Sequence, residues 1–403
     1  MTEILYLVHR APWPPDRGDR IRSWHLLNAL AKLAPVHVAA YADSAQDAAI
    51  ASPMLREVAL SSFVPVRDRS AAVAAALSLP RLAPLSCGLF GGGGMAEHVS
   101  DVIATRPISH IVVFSGPMAQ FIPARFAGRV TMDFCDVDSA KFTAYAAADR
   151  ALSPMRAVHA YEGWRLAAWE KAVAQRADMA LFVSEAEAAL FRARAGLGAD
   201  KVRCLENGID LVRFDPSGDW APLKPSQRPP GPMAVFTGQM DYRPNVEAVA
   251  GFARDVMPRL RAIVPDAQFA IVGRAPTAEV RALADLPGVI VTGAVDDTRS
   301  WLAASDATVA PLTVARGVQN KLLEAMAMAR PVVASPSAAE GIDAVAGRDL
   351  IVADGPQSTA DALVALYGDP ARGAAMGRAA RARMEARYGW DATLAPLAGM
   401  LGL

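Results

Sequence analysis

Short apolar runs alternate along the chain with stretches in which apolar residues recur every three or four positions. Ile4-Leu-Tyr-Leu-Val8 reads as a first buried strand. A polar loop follows, then a helix from about Arg20 to Leu33, with Ile21, Trp24, Leu27 and Leu30 at helical spacing. Val36–Tyr41 reads as a second strand, and Ile108–Phe114, Val130–Phe134 and Met179–Val183 as further short strands bounded by turn residues. Between the last two the pattern predicts a long helix, with Ser153 as N-cap and Pro154 as its first residue. Ser184-Glu-Ala-Glu187 has the composition of a capping box and opens the next helix. Strands separated by helices bury both faces of a sheet, so the pattern predicts a parallel α/β fold.

The alternation breaks at Pro216–Pro232, where Pro-Ser-Gly, Lys-Pro-Ser and Pro-Pro-Gly-Pro carry no apolar periodicity and read as a linker. It restarts with strand-like runs at Met233–Thr237, Ala267–Val272, Val289–Thr292, Ala307–Ala310, Pro331–Ala334 and Leu350–Val352. The expected organisation is an N-terminal α/β domain (residues 1–215), a linker (216–232), a second α/β domain (233–383) and a terminal segment (384–403). Open parallel sheets bind ligands beyond the carboxyl ends of their strands, so two such sheets facing each other are expected to leave a cleft.

A chain of 403 residues with 53% hydrophobic content is long enough for two buried cores. Lys+Arg and Asp+Glu are both 41, so no net field points to a nucleic-acid partner or to an acidic membrane surface. The three cysteines, Cys87, Cys135 and Cys204, form no C-x-x-C, and the six histidines form no H-x-x-x-H pair, which argues against a zinc site. The start of the chain carries Glu3 and no basic leader, which does not suit a signal peptide. The most apolar stretch, Ala71–Phe90, is interrupted by Pro80, Arg81 and Pro84 and is too broken to span a bilayer. Packing within its domain is the first expectation for it, with a membrane interface or an acceptor-side lobe as alternatives.

The densest chemistry lies between Arg316 and Ser335. Asn320 suits an N-cap with Lys321 at the first helical position, and Arg330-Pro331 ends the helix before a Pro-Val-Val strand. Unpaired N–H groups at such a helix start favour an anion, and Arg316 and Lys321 add two cations. Glu324, a turn further in, is placed to accept hydrogen bonds from sugar hydroxyls. Phosphate beside sugar is the chemistry of a nucleotide-sugar donor. The same residues also suit an ordinary amphipathic helix with a charged first turn.

This stretch resembles the donor-site signature of retaining glycosyltransferases of the GT4 type, which have the GT-B fold of two Rossmann-like domains with parallel sheets facing across a cleft. In that family two Glu residues separated by seven others precede Ala-Met-Ala and Pro-Val-Val. Glu324 matches the second, which implies contact with the ribose, whereas Arg316 stands where the first is expected. Asn207-Gly-Ile-Asp210 resembles the family's hinge-side turn, and Phe236-Thr-Gly-Gln-Met-Asp-Tyr-Arg-Pro-Asn245 its loop facing the donor diphosphate. There the family has Arg after the Gly and Lys five residues later. This chain has Gln239 after Gly238, and Pro244 with Arg243 adjacent, so Arg316 and Lys321 are expected to supply the missing charge. Val295 falls where a backbone group meets the base, and the segment from Tyr388-Gly-Trp390 matches the one that crosses back to the N-terminal domain.

The loop Pro14–Arg22 keeps only Gly18 of the family's Gly-Gly pair, set among Arg17, Asp19 and two further arginines. With Met132–Lys141 it resembles a subgroup of sugar transferases linked to bacterial exopolysaccharide systems. The resemblance implies that Arg17, Gly18 and Asp19 line the acceptor side or phosphate loop, with Asp133, Asp138 and Lys141 as polar orienting groups. Asp136-Val-Asp138 also reads as a D-x-D metal-diphosphate site, but a second α/β domain does not fit the architecture that uses it. The four glycines Gly91–Gly94 lack a following Lys-Ser/Thr and read as a flexible connection.

The resemblance therefore implies transfer of a sugar from a nucleoside diphosphate-sugar to a glycan or lipid-linked glycan acceptor, with retention, in exopolysaccharide biosynthesis. No metal cofactor and no side-chain nucleophile are expected. The implied location is cytoplasmic, with peripheral contact at the inner membrane if the acceptor is lipid-linked. Two other readings share the architecture: a GT-B sugar-nucleotide epimerase and a non-catalytic nucleotide-sugar binding protein.

Overall fold

The computed structural model describes residues 2–67, 70–149, 153–313 and 318–403. The chain divides into two compact units, the first ending at Glu206 and including Leu394–Leu403, the second running from Asn207 to Thr393.

The first unit is a seven-stranded parallel sheet in the order β3-β2-β1-β4-β5-β6-β7. Its strands are β1 (Glu3–Val8), β2 (Val36–Ala40), β3 (Ser61–Phe63), β4 (Ile108–Phe114), β5 (Arg129–Cys135), β6 (Met179–Phe182) and β7 (Val202–Cys204). Every residue of β1 and β2 is buried, as near-continuous apolar runs in a sheet covered on both faces require. The second unit repeats the plan in six parallel strands, β10-β9-β8-β11-β12-β13. These are β8 (Met233–Thr237), β9 (Gln268–Val272), β10 (Val289–Gly293), β11 (Ala307–Ala310), β12 (Val332–Ala334) and β13 (Ile351–Val352). All the strands expected from the apolar runs are present within one or two residues of their ends.

Four features differ from the sequence-based expectation. β3 and β7 escaped notice because each has only three residues and none forms an apolar run. The long helix expected between β5 and β6 is present as Pro154–Arg176 with Ser153 as its N-cap, but a second helix that was not expected, Asp138–Ala148, precedes it. The capping box at Ser184 is half made. Ser184 Oγ accepts from the Glu187 N–H at 3.2 Å, but the Glu187 carboxylate turns away to accept from the Val137 N–H at 2.7 Å. The fourth difference concerns the Pro-rich stretch, which belongs to the second unit. Trp220 and Leu223 pack on its core, and the Ala221 carbonyl accepts from Ser300 Oγ. The division between units accordingly falls after Glu206, not after residue 215. Lack of periodicity signalled irregular backbone there, and two apolar anchors hold that backbone down.

The return of the chain to the first unit begins at Leu394, ten residues later than the expected 384. Tyr388 is fully buried in the second unit, and its hydroxyl accepts from the Asp343 N–H at 2.6 Å. Leu397 and Leu401 are buried, and His110 Nε2 donates to the Leu401 carbonyl at 3.2 Å.

Candidate functional site

In the second unit the strand order reverses between β8 and β11, and ligands of open parallel sheets gather at the carboxyl ends of strands around such a point. β8 delivers Gly238, whose N–H donates to the Val272 carbonyl at 3.0 Å. A Cβ on Gly273 would lie 1.6 Å from the Gly238 carbonyl oxygen, so the β8 and β9 ends approach this closely only because Gly273 has no side chain. The next helix, Arg243–Gly251, presents the buried Asn245. Asn245 Nδ2 donates to the Gln239 carbonyl at 2.9 Å, and its Oδ1 accepts from Lys321 Nζ at 2.5 Å. The Lys321 ammonium also lies 4.3 Å from the centroid of the Phe236 ring, a favourable cation–π contact. Lys321 is on the helix Asn320–Ala327, which follows β11, so elements from both sides of the reversal converge on one ammonium.

Burial draws Lys321 down to about 8, against the pull of Glu324. Burial lifts Glu324 to about 7, against the charges of Arg213 and Lys321. A cation held against apolar surface with much of its hydration removed suits a diphosphate. A carboxyl group titrating near neutrality can both donate to and accept from a pair of sugar hydroxyls.

The helix begins one residue earlier than expected. Gln319 is the N-cap, without a side-chain cap bond, and Asn320 is the first helical residue. The Gln319 carbonyl accepts from the Leu322 and Leu323 N–H groups. Asn320 Oδ1 is buried with no hydrogen-bond partner among the described residues. Arg243 is exposed, and its Nε donates to Glu247 at 2.8 Å one turn along the same helix. Val295, after β10, is half-buried and packs on the core. Arg316 lies outside the described residues. Two groups at this site were not anticipated. Asn245 closes the quoted motif but partners a lysine 76 residues away, a pairing no local pattern reveals. Arg213 bears electrostatically on Glu324 from three residues beyond the Asn207–Asp210 turn.

Glu324 carries a pH consequence. Its folded-state pKa stands above the ordinary 4.5, so the folded protein holds a proton that the unfolded chain loses. Its contribution to stability is full below pH 4.5 and declines as pH rises towards 7. Glu324→Gln should therefore melt like the parent at pH 4 and higher than it at pH 8, by roughly 1–3 kcal/mol in unfolding free energy. Coincident melting curves at pH 8 would refute the buried charge.

In the first unit the order reverses between β1 and β4. Beyond β1, Asp19 accepts from Arg10 Nη1 at 2.9 Å and Arg17 Nε at 2.8 Å, and lies 3.2 Å from His9 Nε2. Burial opposes ionisation, but the His9 hydrogen bond and the charges of Arg17 and Arg10 outweigh it and hold Asp19 well below the usual carboxylate range. Gly18 is the first residue of the helix Gly18–Leu33, and Arg17 is its cap. His9 is buried and stacked on Phe114, the last residue of β4, at 5.7 Å. Burial lowers its pKa against the opposing pull of Asp19, and Asp138 also bears on it, which brings the ends of β1 and β5 into one neighbourhood. Lys141 Nζ is 3.4 Å from Asp138 Oδ1. Asp136 is pushed up to about 6 by burial and by the charges of Glu187 and Asp138. His9, a residue outside the expected set, is the centre of this group.

Asp133 is a correction. Expected as a polar orienting group on the acceptor side, it is fully buried and accepts from Arg22 Nε at 2.9 Å. A residue in the interior of β5 points where the sheet directs it, and here that is the core beneath the helix Gly18–Leu33. Among the described residues no group of three or more His, Cys, Asp or Glu side chains is placed to hold a metal ion.

Two Rossmann-like units of parallel sheet and covering helices define the GT-B fold of glycosyltransferases, and comparison with solved structures establishes it. Sucrose-phosphate synthase from Thermosynechococcus elongatus superimposes with a TM-score of 0.72 at 17% identity, covering 99% of this chain and 98% of that one. Anabaena HepE in complex with UDP superimposes with a TM-score of 0.66 at 16% identity over the full length of both chains. In sequence, residues 231–369, within the second unit, match the family described as glycosyl transferases group 1. Phosphatidyl-myo-inositol mannosyltransferase of Mycolicibacterium smegmatis is 33% identical over 208 residues, 50% of this chain and 51% of that protein. The chain thus spans about half the length of that curated relative in the match.

Proposed function

We propose that the protein is a retaining glycosyltransferase that moves a sugar from a nucleoside diphosphate-sugar to a glycan or lipid-linked glycan acceptor. The observation that carries this reading is the convergence of Lys321, Asn245, the Gln239 loop and Glu324 at the β8/β11 reversal. The group 1 match over the same unit and the fold shared with a UDP-bound neighbour support it. In this reading Lys321 and the first-turn N–H groups of its helix bind the diphosphate, and Glu324 binds the ribose. Val295 lies towards the base, and Arg316 adds charge beside the phosphates. Departure of the sugar builds negative charge on the β-phosphate, and a fixed ammonium with helix N–H groups stabilises that charge without a metal ion. The acceptor-side groups are Arg17, Gly18, Asp19, Asp138 and Lys141, with His9 added. A role in exopolysaccharide biosynthesis rests on the resemblance of Pro14–Arg22 and Met132–Lys141 to the sugar transferases of such systems.

A thermal-shift panel of UDP, GDP, ADP and TDP, each with EDTA and with Mg²⁺, tests the donor site. A ligand present at 100 times its Kd raises the unfolding free energy by about 2.7 kcal/mol. One nucleoside diphosphate is expected to raise the Tm equally with EDTA and with Mg²⁺. No shift with any nucleotide would sink the donor site, and a shift only with Mg²⁺ would move the diphosphate towards Asp136 and Asp138. Conversion of a donor sugar in the absence of any acceptor, without hydrolysis, would favour the epimerase.

A further inference from the structure

The turn that opens the second unit carries an arginine without a protein partner. After Asn207–Asp210 the chain folds back, with Asp210 Oδ1 accepting from the Val212 and Arg213 N–H groups at 3.1 and 2.9 Å. Phe214 is buried, whereas Val212 and Arg213 are exposed. Among the described residues the Arg213 guanidinium has no hydrogen-bond or ion-pair partner, and it stands 5.7 Å from the centroid of the Phe214 ring.

Two other arginines fix this turn beside the helix of Lys321 and Glu324. Arg381, on the helix Pro370–Arg387, donates through Nη1 to the Phe214 carbonyl at 2.6 Å and to the Ala327 carbonyl at 2.9 Å. Its Nη2 donates to the Leu211 carbonyl at 3.3 Å. Ala327 is the last residue of the helix Asn320–Ala327, less than one turn beyond Glu324, so the turn and the donor helix meet at one nitrogen. Arg299 holds the other side of the turn. Its Nη1 donates to the Arg213 carbonyl at 2.9 Å, while its Nε and Nη2 grip Asp297, the N-cap of the helix after β10. The backbone at residue 213 is thus locked to the donor helix and to the β10 loop, while its side chain reaches solvent.

This placement decides which charges meet Glu324. Burial apart, the charges that act on it are those of Arg213 and Lys321. Arg381 is engaged by three carbonyls and by Glu385, and Asp297 is already neutralised by Arg299. β11 and β12, which also pack on the Glu324 helix, bring no ionisable side chain. Lys321 cannot serve two anions at full strength. Once a diphosphate takes its ammonium, Glu324 keeps only Arg213 as counter-charge among the described residues. Without that guanidinium the diphosphate would face an uncompensated carboxylate where water no longer screens the repulsion.

We propose that Arg213 is a further residue of the donor site, a positioning group that acts through Glu324: it neutralises the carboxylate that takes the ribose, so that an anionic diphosphate can bind alongside. This role rests on the donor-site reading of Lys321 and Glu324. The experiment titrates UDP, GDP, ADP and TDP by calorimetry at pH 6 and pH 8 against the parent, Arg213→Ala, Arg213→Lys, Glu324→Gln and the double variant Arg213→Ala with Glu324→Gln. Arg213→Ala should weaken binding about fivefold to tenfold at pH 8, where Glu324 is ionised, and less than about twofold at pH 6, where it is largely protonated. Lysine at 213 should restore most of the loss, and in the Glu324→Gln background the alanine should change little at either pH. Melting without ligand gives a second readout. The folded-state pKa of Glu324 stands above its ordinary value and rises further when Arg213 goes, so Arg213→Ala should match the parent at pH 5 and melt lower at pH 8. Glu324→Gln should close that gap. A parent that binds no nucleoside diphosphate would sink the glycosyltransferase reading and this role with it. Binding that Arg213→Ala leaves unchanged at pH 8 would overturn the role of Arg213 alone, as would coincident melting curves at pH 8. A loss equal at pH 6 and pH 8, or one that persists in the Glu324→Gln background, would overturn action through Glu324 and make Arg213 a direct phosphate ligand.

Discussion

Lys321→Ala is expected to weaken nucleoside diphosphate binding about 10- to 100-fold, and to slow sugar transfer by a further factor of roughly 10. The ammonium is held from two sides, by Asn245 Oδ1 and by the face of Phe236, and burial has already removed much of its hydration. A diphosphate arriving there replaces weak partners with strong charge-assisted ones, and little of the gain is lost to ordering the side chain. The loss should fall on the β-phosphate, so the ratio of diphosphate to monophosphate affinity is the informative readout. Since Lys321 titrates at about 8, diphosphate affinity should decline as pH rises through that value in the parent, and show no such step in the alanine variant. Arg243→Ala is the control. That guanidinium is exposed and paired with Glu247, and its removal should change affinity little. An unchanged diphosphate-to-monophosphate ratio in Lys321→Ala would remove this lysine from the phosphate site.

The second large effect is on stability. Asp133→Ala should cost about 3–5 kcal/mol, because it leaves the Arg22 charge buried without its counter-ion. Both side chains are almost fully shielded, at 2% and 1% exposure. Asp133 Oδ1 also accepts from the Cys135 N–H at 3.0 Å, where the chain turns out of β5 with Cys135 at φ 66°, in the left-handed region. The aspartate thus ties the helix Gly18–Leu33 to β5 and shapes the strand end that leads to Asp136 and Asp138. Replacing both partners, as Arg22→Met with Asp133→Leu, should recover much of the loss, since the penalty lies in the uncompensated charge. Denaturant unfolding followed by the first unit's tryptophans reports it. A cost below about 1 kcal/mol for Asp133→Ala would contradict a dry ion pair.

The contrast between these two residues shows how far the sequence could be read. Lys321 was singled out by its place at a helix start, and it stands at the reversal in strand order. Asp133 was singled out by a neighbouring acidic pattern and serves the interior. Both are charged residues close to a strand end or helix start, and their local sequences do not separate the two fates. Burial is set by what packs above a position, and for Asp133 that is a helix more than a hundred residues earlier, bearing Arg22. His9 and Asn245 escaped for the same reason, each completed by a partner distant in sequence or by a stacking ring on another strand.

What the sequence determined by itself is the periodic order: eleven of the thirteen strands among the described residues are legible as apolar runs, separated by helices in two successive blocks. Burial on both sheet faces demands continuous apolar strands, and a helix against a sheet demands its own spacing, so these patterns are local and survive in one dimension. The helix that follows Gln319 belongs to the same class, because helix starts depend on residues near at hand. The tertiary structure alone decided which charges meet. It put Lys321 on Asn245, spent Glu187 on Val137, buried Asp133 on Arg22, and fastened the Pro-rich stretch to the second unit through Trp220 and Leu223. Electrostatic and packing partners act through space over a few ångströms, and a linear pattern carries no record of which distant segments the folded sheet will bring that close.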